Sequence, residues 1–309
     1  MITIFTPTYN RAHLLPRLYE SLCKQNCKDF EWLVIDDGST DSTESLFVKW
    51  KDADNGFALH YLRIENGGKQ RAINRALDIA NGEFFFIVDS DDYLIEDAIS
   101  FIIEAFETLP DDDSFIGISV VKGDVDGKPI NRIPKIDPEI GYVDCSNIDR
   151  PKYDLQADMA EVFFTNKLKK YRFPVWKGEN FTPEAVVWDR IAMDGYKLRW
   201  FDKIAYLCEY QDDGLSKSSW SLLKRNPMGY AMLFNDQLEV NDYRRNRNDS
   251  LANGMGWVAN TVMQFVSCCC LAGEYGYIRQ CANRLAWLFA LPGWLLSLRR
   301  RKQINSYSK

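Results

Sequence analysis

Between Ile2 and Val88 short apolar runs alternate with segments whose apolar residues recur at helical spacing, and this alternation restricts the fold more than any other feature. Ile2 to Thr6, Trp32 to Ile35, Leu59 to Ile64 and Phe84 to Val88 read as strands. From Arg11 to Gln25, Leu14, Leu18 and Leu22 repeat at four-residue steps beside Leu15, which describes one apolar face of a helix. Residues 40–51 form a second helix, and Ile73, Ala76, Leu77 and Ala80 mark a third. Phe84 to Val88 is continuously apolar, as suits a strand buried on both faces. This order predicts a mostly parallel sheet covered by helices, with the carboxyl ends of its strands sharing one ligand-binding edge. Three polar clusters follow strands, Pro7-Thr8-Tyr9-Asn10, Asp36-Asp37-Gly38-Ser39 and Asp89-Ser90-Asp91-Asp92, and they are expected to converge on one crevice.

Beyond residue 114 the pattern changes. Phe115 to Val121 reads as a strand, Asp126-Gly127 as a hairpin turn, and 131–155 as a Pro- and Asp-rich loop. Short strands are predicted at Val162 to Thr165, Lys197 to Phe201 and Ile204 to Glu209, around a helix at Ala185 to Met193. From residue 217 the pattern is helical. The 309-residue chain is 46% hydrophobic and 14% aromatic, a globular composition. Its net charge of −6 argues against nucleic acid as a partner. Eight cysteines with no CxxC pair, and only His13 and His60 beside them, predict reduced thiols in a cytosolic setting rather than a zinc site or a disulfide framework. The start at Ile2-Thr3-Ile4-Phe5 lacks the pattern of a signal peptide, and no export is expected.

The acidic clusters need a chemical explanation. Carboxylates as close as Asp89, Asp91 and Asp92 repel one another unless a cation or hydrogen-bond donors neutralise them. Mg2+ or Mn2+ would do so, since these ions take one or two carboxylates together with substrate phosphates. The same residues also suit a turn capping a helix that begins near Leu94. Asp37 can accept from a base N–H or a ribose hydroxyl, or it belongs to an ordinary turn before a helix. Gly67-Gly68-Lys69 offers helix N-terminal amides and a lysine to a phosphate, or is a common helix start.

Taken together, Pro7-Thr8-Tyr9-Asn10, Val34 through Asp41, Gly68-Lys69 through Ala72 and Asn74, and Val88-Asp89-Ser90-Asp91-Asp92 resemble the ordered motifs of the family 2 glycosyltransferases. The resemblance implies an α/β GT-A fold, with a Rossmann-like nucleotide-binding half at 1–114 and an acceptor-binding half at 115–216. A helical C-terminal extension would occupy 217–309. It implies inverting transfer of a sugar from a nucleotide-sugar donor, often UDP-linked, to a saccharide or lipid-linked saccharide in surface polysaccharide assembly. Pro7, Thr8 and Tyr9 would line the nucleotide pocket, Asp37 would meet the base, Lys69 and Ser90 would serve the donor, Asp89 would approach the ribose or nucleotide, and Asp91 would reach the metal. Thr182-Pro183-Glu184 before Trp188-Asp189-Arg190 aligns Glu184 with the catalytic base, with Asp189 and Glu179 as alternatives. Gln211, in Tyr210 to Ser216, stands where many relatives carry a histidine.

Other classes match less of the chain. A haloacid dehalogenase-type phosphatase would place Asp89-Ser90-Asp91 after its opening strand, which here ends in Pro7-Thr8-Tyr9-Asn10. Gly254-Met255-Gly256-Trp257-Val258-Ala259 fits a loose dinucleotide pattern without a strand before it. A non-catalytic nucleotide-sugar-binding or scaffold protein is the non-enzyme reading. Cys268-Cys269-Cys270 is expected to pack as small apolar residues. Leu285 to Leu298 is too short to span a bilayer. Its tryptophans and the following Arg299-Arg300-Arg301-Lys302 suit either a membrane interface or a helix packed on protein.

Overall fold

A computed structural model describes residues 1–132, 134–209 and 219–306. These fall into two compact units, Met1–Arg172 with Gly195–Gln211, and Phe173–Asp194 with Asp212–Lys309. The segment 173–194, which the sequence assigns to the acceptor-binding half, belongs with the C-terminal helices.

The first unit is a sheet covered by helices. Its elements begin with β1 (Ile2–Thr8), α1 (Leu15–Cys23), β2 (Phe30–Asp36), α2 (Thr43–Lys51), β3 (Ala58–Arg63), α3 (Lys69–Ile79) and β4 (Phe84–Ile87). β1 pairs in parallel with β2 and β4, and β2 with β3, as the alternation predicts. Both faces of β1, β2 and β4 are covered, so Ile4, Trp32, Val34 and Phe86 lie in one core with Leu15, Leu18 and Leu22 of α1. Parallel strands of this kind need apolar residues on both sides, which is why these runs do not alternate.

Four expectations for the middle of the chain change. Leu94 does not start a helix: Tyr93–Leu94 is a short strand, β5, paired antiparallel with Tyr206 and Leu207, and α4 (Ala98–Glu107) begins later. Residues 197 to 207 are one strand, β9 (Lys197–Leu207), which runs parallel to β6 (Phe115–Gly123) with shifts of register where two strands were expected. The stretch 131–155 is not all loop. It contains β7 (Tyr142–Cys145), held antiparallel to β9 by the Arg199–Asp144 pair at 2.7 Å and by Trp200 Nε1 donating to the Cys145 carbonyl at 2.9 Å. Finally, β8 (Met159–Phe164) starts three residues before the predicted Val162, links β4 to β6, antiparallel to both, and runs into the short helix α5 (Thr165–Leu168). The order among the described residues is β3-β2-β1-β4-β8-β6-β9-β5, with β7 beside β9. These pairings bring distant residues together, which local periodicity does not encode.

In the second unit α6 (Ala185–Met193) packs with α7 (Ser219–Arg225), α8 (Pro227–Asn246), α9 (Met255–Ala272) and α10 (Ala290–Ser306). Val258, Val262, Phe265, Cys268, Cys269 and Cys270 of α9 form its core with Met228, Ala231 and Leu238 of α8. The three cysteines are buried, as their small apolar character predicts, and burial pushes the Cys268 thiol up to about 12. α9 is long and apolar enough to cross a membrane, but half of it is buried inside the protein. Asp236 of α8 is 1% exposed, accepts from Arg190 Nη2 at 3.2 Å through Oδ1, and has no hydrogen-bond partner at Oδ2. Burial pushes this carboxyl up to about 7, against the pull of the Arg190 charge, so the folded protein keeps a proton there which the unfolded chain releases near its ordinary value.

Two predictions follow from this packing. A Cβ at position 117 would stand 2.0 Å from the Val162 carbonyl oxygen, so Gly117→Ala is expected to lower stability by about 3 kcal/mol in chemical denaturation. Because Asp236 is proton-bound in the fold, its contribution to stability falls as pH rises from about 4 to about 7. Asp236→Asn removes that loss, by up to about 4 kcal/mol, and urea unfolding of both proteins at the two ends of this range measures it.

Candidate functional site

The three polar clusters meet at the carboxyl edge of the first unit's parallel strands. Asp37 N–H donates to the Thr8 carbonyl at 2.8 Å, Ile64 N–H to the Asp36 carbonyl at 2.8 Å, and Val88 N–H to the Phe5 carbonyl at 2.8 Å, so the residues that leave β2, β3 and β4 are each tied to a neighbouring strand. Asn10, in a left-handed conformation with φ 54°, ties the first cluster to the second. Its N–H donates to Ser39 Oγ at 2.8 Å and its Oδ1 accepts from Thr40 N–H at 2.7 Å. Asp36 is fully buried and accepts from Ser39 N–H at 2.8 Å and from the Tyr61 hydroxyl.

Asp37 spans the mouth of the next loop. Its two oxygens accept the Gly67 and Gly68 amides, each at 2.8 Å, and burial holds the carboxyl above its usual range despite those bonds. The two glycine amides which the sequence offers to a phosphate are therefore committed to Asp37. Each Asp37 oxygen still has a second acceptor position, as a base N–H requires. Lys69, the first residue of α3, places Nζ 2.6 Å from Asp89 Oδ1. Two residues expected to serve the donor separately thus form an ion pair.

The Asp89-Ser90-Asp91-Asp92 cluster does not cap a helix, since α4 begins at Ala98 beyond β5. It is held by charge and by one tyrosine. Tyr206 of β9 is buried; its hydroxyl accepts the Asp89 N–H at 3.0 Å and donates to Asp92 Oδ2 at 2.7 Å. Lys122 of β6 places Nζ 4.5 Å from the centre of the Tyr206 ring. Burial works against an Asp89 carboxylate, but the charges of Lys69 and Lys122 overcome it and hold Asp89 below the usual range. Burial and the Asp89 charge push Asp92 up to about 6. The same two causes raise Asp91, whose Oδ2 lies 3.7 Å from Arg11 Nη1, longer than a hydrogen bond. Arg17 Nη2 donates to the Asp91 carbonyl at 2.6 Å, stacks 4.5 Å over Tyr93, and pairs with Glu209. Asp89 is thus engaged by Lys69 and Asp92 by the Tyr206 hydroxyl, while among the described residues the carboxylate of Asp91 meets only Arg11, at 3.7 Å, and its side chain is 26% exposed.

The remaining predicted residues fall as follows. Pro7 and Thr8 are the last two residues of β1, Tyr9 follows them and is 48% exposed, and Ser90 is buried. Thr8 Oγ1 is buried with no hydrogen-bond partner, a condition that costs about 1–3 kcal/mol. Glu184 belongs to the second unit, at the residue before α6, with Val187 and Trp188 N–H donating to its carbonyl. Glu179 is also in that unit and is buried; its carboxylate accepts the Met228 and Gly229 amides at 2.7 and 2.9 Å, at the start of α8. That engagement makes Glu179 a helix cap. Asp189 is partly exposed on α6. Gln211 lies outside the described residues.

Sequence reasoning missed Lys122, Tyr206, Arg11 and Arg17. Lys122 carried a signal, being a charge directly after the apolar run Phe115 to Val121. Tyr206 carried none, because its role depends on β5 pairing with β9.

The sequence matches the model for glycosyl transferase family 2 over residues 3–171, more than half of the chain. It is similar to the poly(ribitol-phosphate) beta-N-acetylglucosaminyltransferase TarS of Staphylococcus aureus (strain Mu50 / ATCC 700699), with 38% identity over 108 residues, 33% of this chain and 19% of that protein. The chain thus matches about a fifth of the length of that relative. The structure of S. aureus TarS 1-349 in complex with UDP-GlcNAc is similar with a TM-score of 0.58 and 18% identity, covering 98% of this chain and 91% of that one. The mannosyltransferase PcManGT from Pyrobaculum calidifontis, in complex with GDP-Man and Mn2+, is similar with a TM-score of 0.53 and 18% identity, covering 98% and 82%. At such identities the structural likeness speaks to the fold, which is GT-A. On the match over residues 3–171, with its motifs joined at one sheet edge, the chain belongs to glycosyl transferase family 2.

Proposed function

We propose that this chain is an inverting glycosyltransferase that moves a sugar from a nucleotide diphosphate sugar, a UDP-sugar first of all, to a saccharide or lipid-linked saccharide. The observation that carries the reading is the meeting of Asp37, the Lys69–Asp89 pair and Asp91 beside the unpartnered Thr8 hydroxyl. A ligand hydroxyl or phosphate oxygen would relieve that buried group. TarS with UDP-GlcNAc, and PcManGT with GDP-Man and Mn2+, support a nucleotide-sugar donor here.

In this reading Pro7, Thr8 and Tyr9 line the nucleotide pocket, and Asp37 accepts from the base. Asp89 and Ser90 receive the ribose, and Lys69 fixes the Asp89 carboxylate while keeping positive charge near the diphosphate. Among the described residues no group of three or more His, Cys, Asp or Glu side chains is arranged to hold a metal. A site of one carboxylate completed by donor phosphates fits the residues present, because Asp91 is partly exposed and has no cation closer than 3.7 Å. Mn2+ or Mg2+ bound there would offset the charge that develops on the departing diphosphate. The family resemblance gives Glu184 the role of the base, which takes the proton of the acceptor hydroxyl as that oxygen attacks C1 of the sugar. A single displacement inverts that centre.

The wider setting is also a proposal. TarS is named for poly(ribitol-phosphate), and a related role in surface polysaccharide assembly would place this protein in the cytoplasm, peripherally at the cytosolic face of a membrane.

Transfer assays with purified protein, UDP-sugars and manganese test the reading. Glu184→Gln is expected to lower kcat on the order of a hundredfold or more with little change in donor KM. Asp91→Ala is expected to abolish manganese-dependent turnover while its far-UV spectrum and melting remain those of the wild type. Full activity of both variants, or full wild-type activity in metal-free buffer, contradicts these roles.

A further inference from the structure

α10 follows a single turn at Arg284–Trp287, and the buried residues of the two are small or polar. They are Ala286, Gly293, Ser297 and Arg300. Gly293 fits so closely that a Cβ there would stand 2.6 Å from the Val266 side chain. Arg300 Nη1 donates to Ser267 Oγ at 3.0 Å, and its other terminal nitrogen donates to the Gln264 side chain. Arg301 Nη2 donates to the Cys270 carbonyl at 2.6 Å.

Leu285 and Phe289 pack against the core of this unit, but five other large apolar side chains are left exposed. Trp287, Leu288, Leu291, Trp294 and Leu295 are 63%, 73%, 64%, 41% and 52% exposed. Their spacing of one, three, three and one residues lays them along one helical stripe, opposite the side that holds Gly293, Ser297 and Arg300. A helix of a water-soluble unit places such a stripe on its core, and scattered exposed residues need no explanation. Five in one stripe, two of them tryptophan, do need one.

Charge selects the occupant. Between Tyr275 and Lys309 there is no Asp or Glu, against seven Lys or Arg, in a chain whose net charge is −6. Arg279, Arg284 and Arg299 are exposed around the stripe. A chain that is acidic as a whole is repelled by an anionic surface except where cations are gathered, and here they flank the apolar stripe. We propose that the exposed stripe of α10 and the turn before it dock on an anionic lipid surface. The helix lies in the interface plane with Trp287, Leu291, Trp294 and Leu295 in the acyl boundary, and Arg279, Arg284 and Arg299 meet phosphate headgroups. Arg300 and Gly293 keep the helix on α9, so that the stripe faces outward whether or not lipid is present. This surface is independent of the proposed chemistry.

Vesicle co-sedimentation of the full chain tests it, with phosphatidylcholine alone and with phosphatidylglycerol added. The wild type is expected to sediment with the anionic vesicles and much less with the neutral ones, and added salt is expected to weaken the binding. Combined Trp287→Ser, Leu291→Ser and Leu295→Ser substitutions, all at exposed positions, are expected to reduce partitioning on the order of a hundredfold with unchanged melting. Arg284→Gln with Arg299→Gln is expected to remove the preference for anionic lipid. Equal binding of wild type and triple variant, or no binding of the wild type to either vesicle, overturns the proposal. So does a concentration-dependent dimer in sedimentation velocity that the triple variant abolishes, since a second copy would then be the occupant. UDP-sugar stabilisation of the triple variant, read by thermal shift, reports separately on the donor site.

Discussion

The contact between Lys69 Nζ and Asp89 is the interaction on which the site depends. Three aspartates within four residues cannot all stay ionised in a half-buried loop unless their charge is met. Lys69 from the start of α3, Lys122 from β6 and the Tyr206 hydroxyl from β9 meet it from three sides. They come from a helix and two strands, so the acidic loop also joins α3 to the mixed part of the sheet. What this leaves is a set of carboxylates in different states: Asp89 held ionised, Asp92 pushed up to about 6, and Asp91 raised by burial and the Asp89 charge, partly exposed and beyond hydrogen-bond reach of Arg11. Such a set suits one oxygen ligand to a cation whose other ligands arrive with a substrate.

The parallel half of the fold was legible because its determinants are local. Buried strands announce themselves by unbroken apolar runs, the helix faces by their period, and the polar clusters by following strands. β5, β7 and the single long β9 were not legible. Tyr93–Leu94 is too short to carry a period, and β7 gains its place through contacts of Asp144 and Cys145 with Arg199 and Trp200, more than fifty residues away in the chain. The same limit applies to the site. Asp37, Lys69, Asp89 and Asp91 are readable as chemistry, but their division of labour is not. That Asp37 takes the Gly67 and Gly68 amides, and that Lys69 takes Asp89, depends on loop geometry. Glu184 and Glu179 differ for a comparable reason, since Glu179 is committed to the amides that begin α8.

The second unit departs from ordinary globular construction in two places. Asp236 sits buried with one oxygen unpaired, and α10 turns its small and polar residues inward. In α10 the close approach at Gly293 and the donors of Arg300 supply the contact that apolar side chains would otherwise supply. The tryptophans and leucines are thereby left on the outside.

In the proposed function Asp91 becomes a metal ligand only when a donor diphosphate completes the site, because Lys69 and the Tyr206 hydroxyl already engage the other two carboxylates of the cluster. Electron paramagnetic resonance of free Mn2+ tests it most directly. The signal is expected to persist when protein alone is added and to be quenched when UDP is added with the protein, beyond the quenching by UDP alone, in the wild type but not in Asp91→Ala. Tight Mn2+ retention by the protein without nucleotide, or equal quenching by both proteins, would contradict the account.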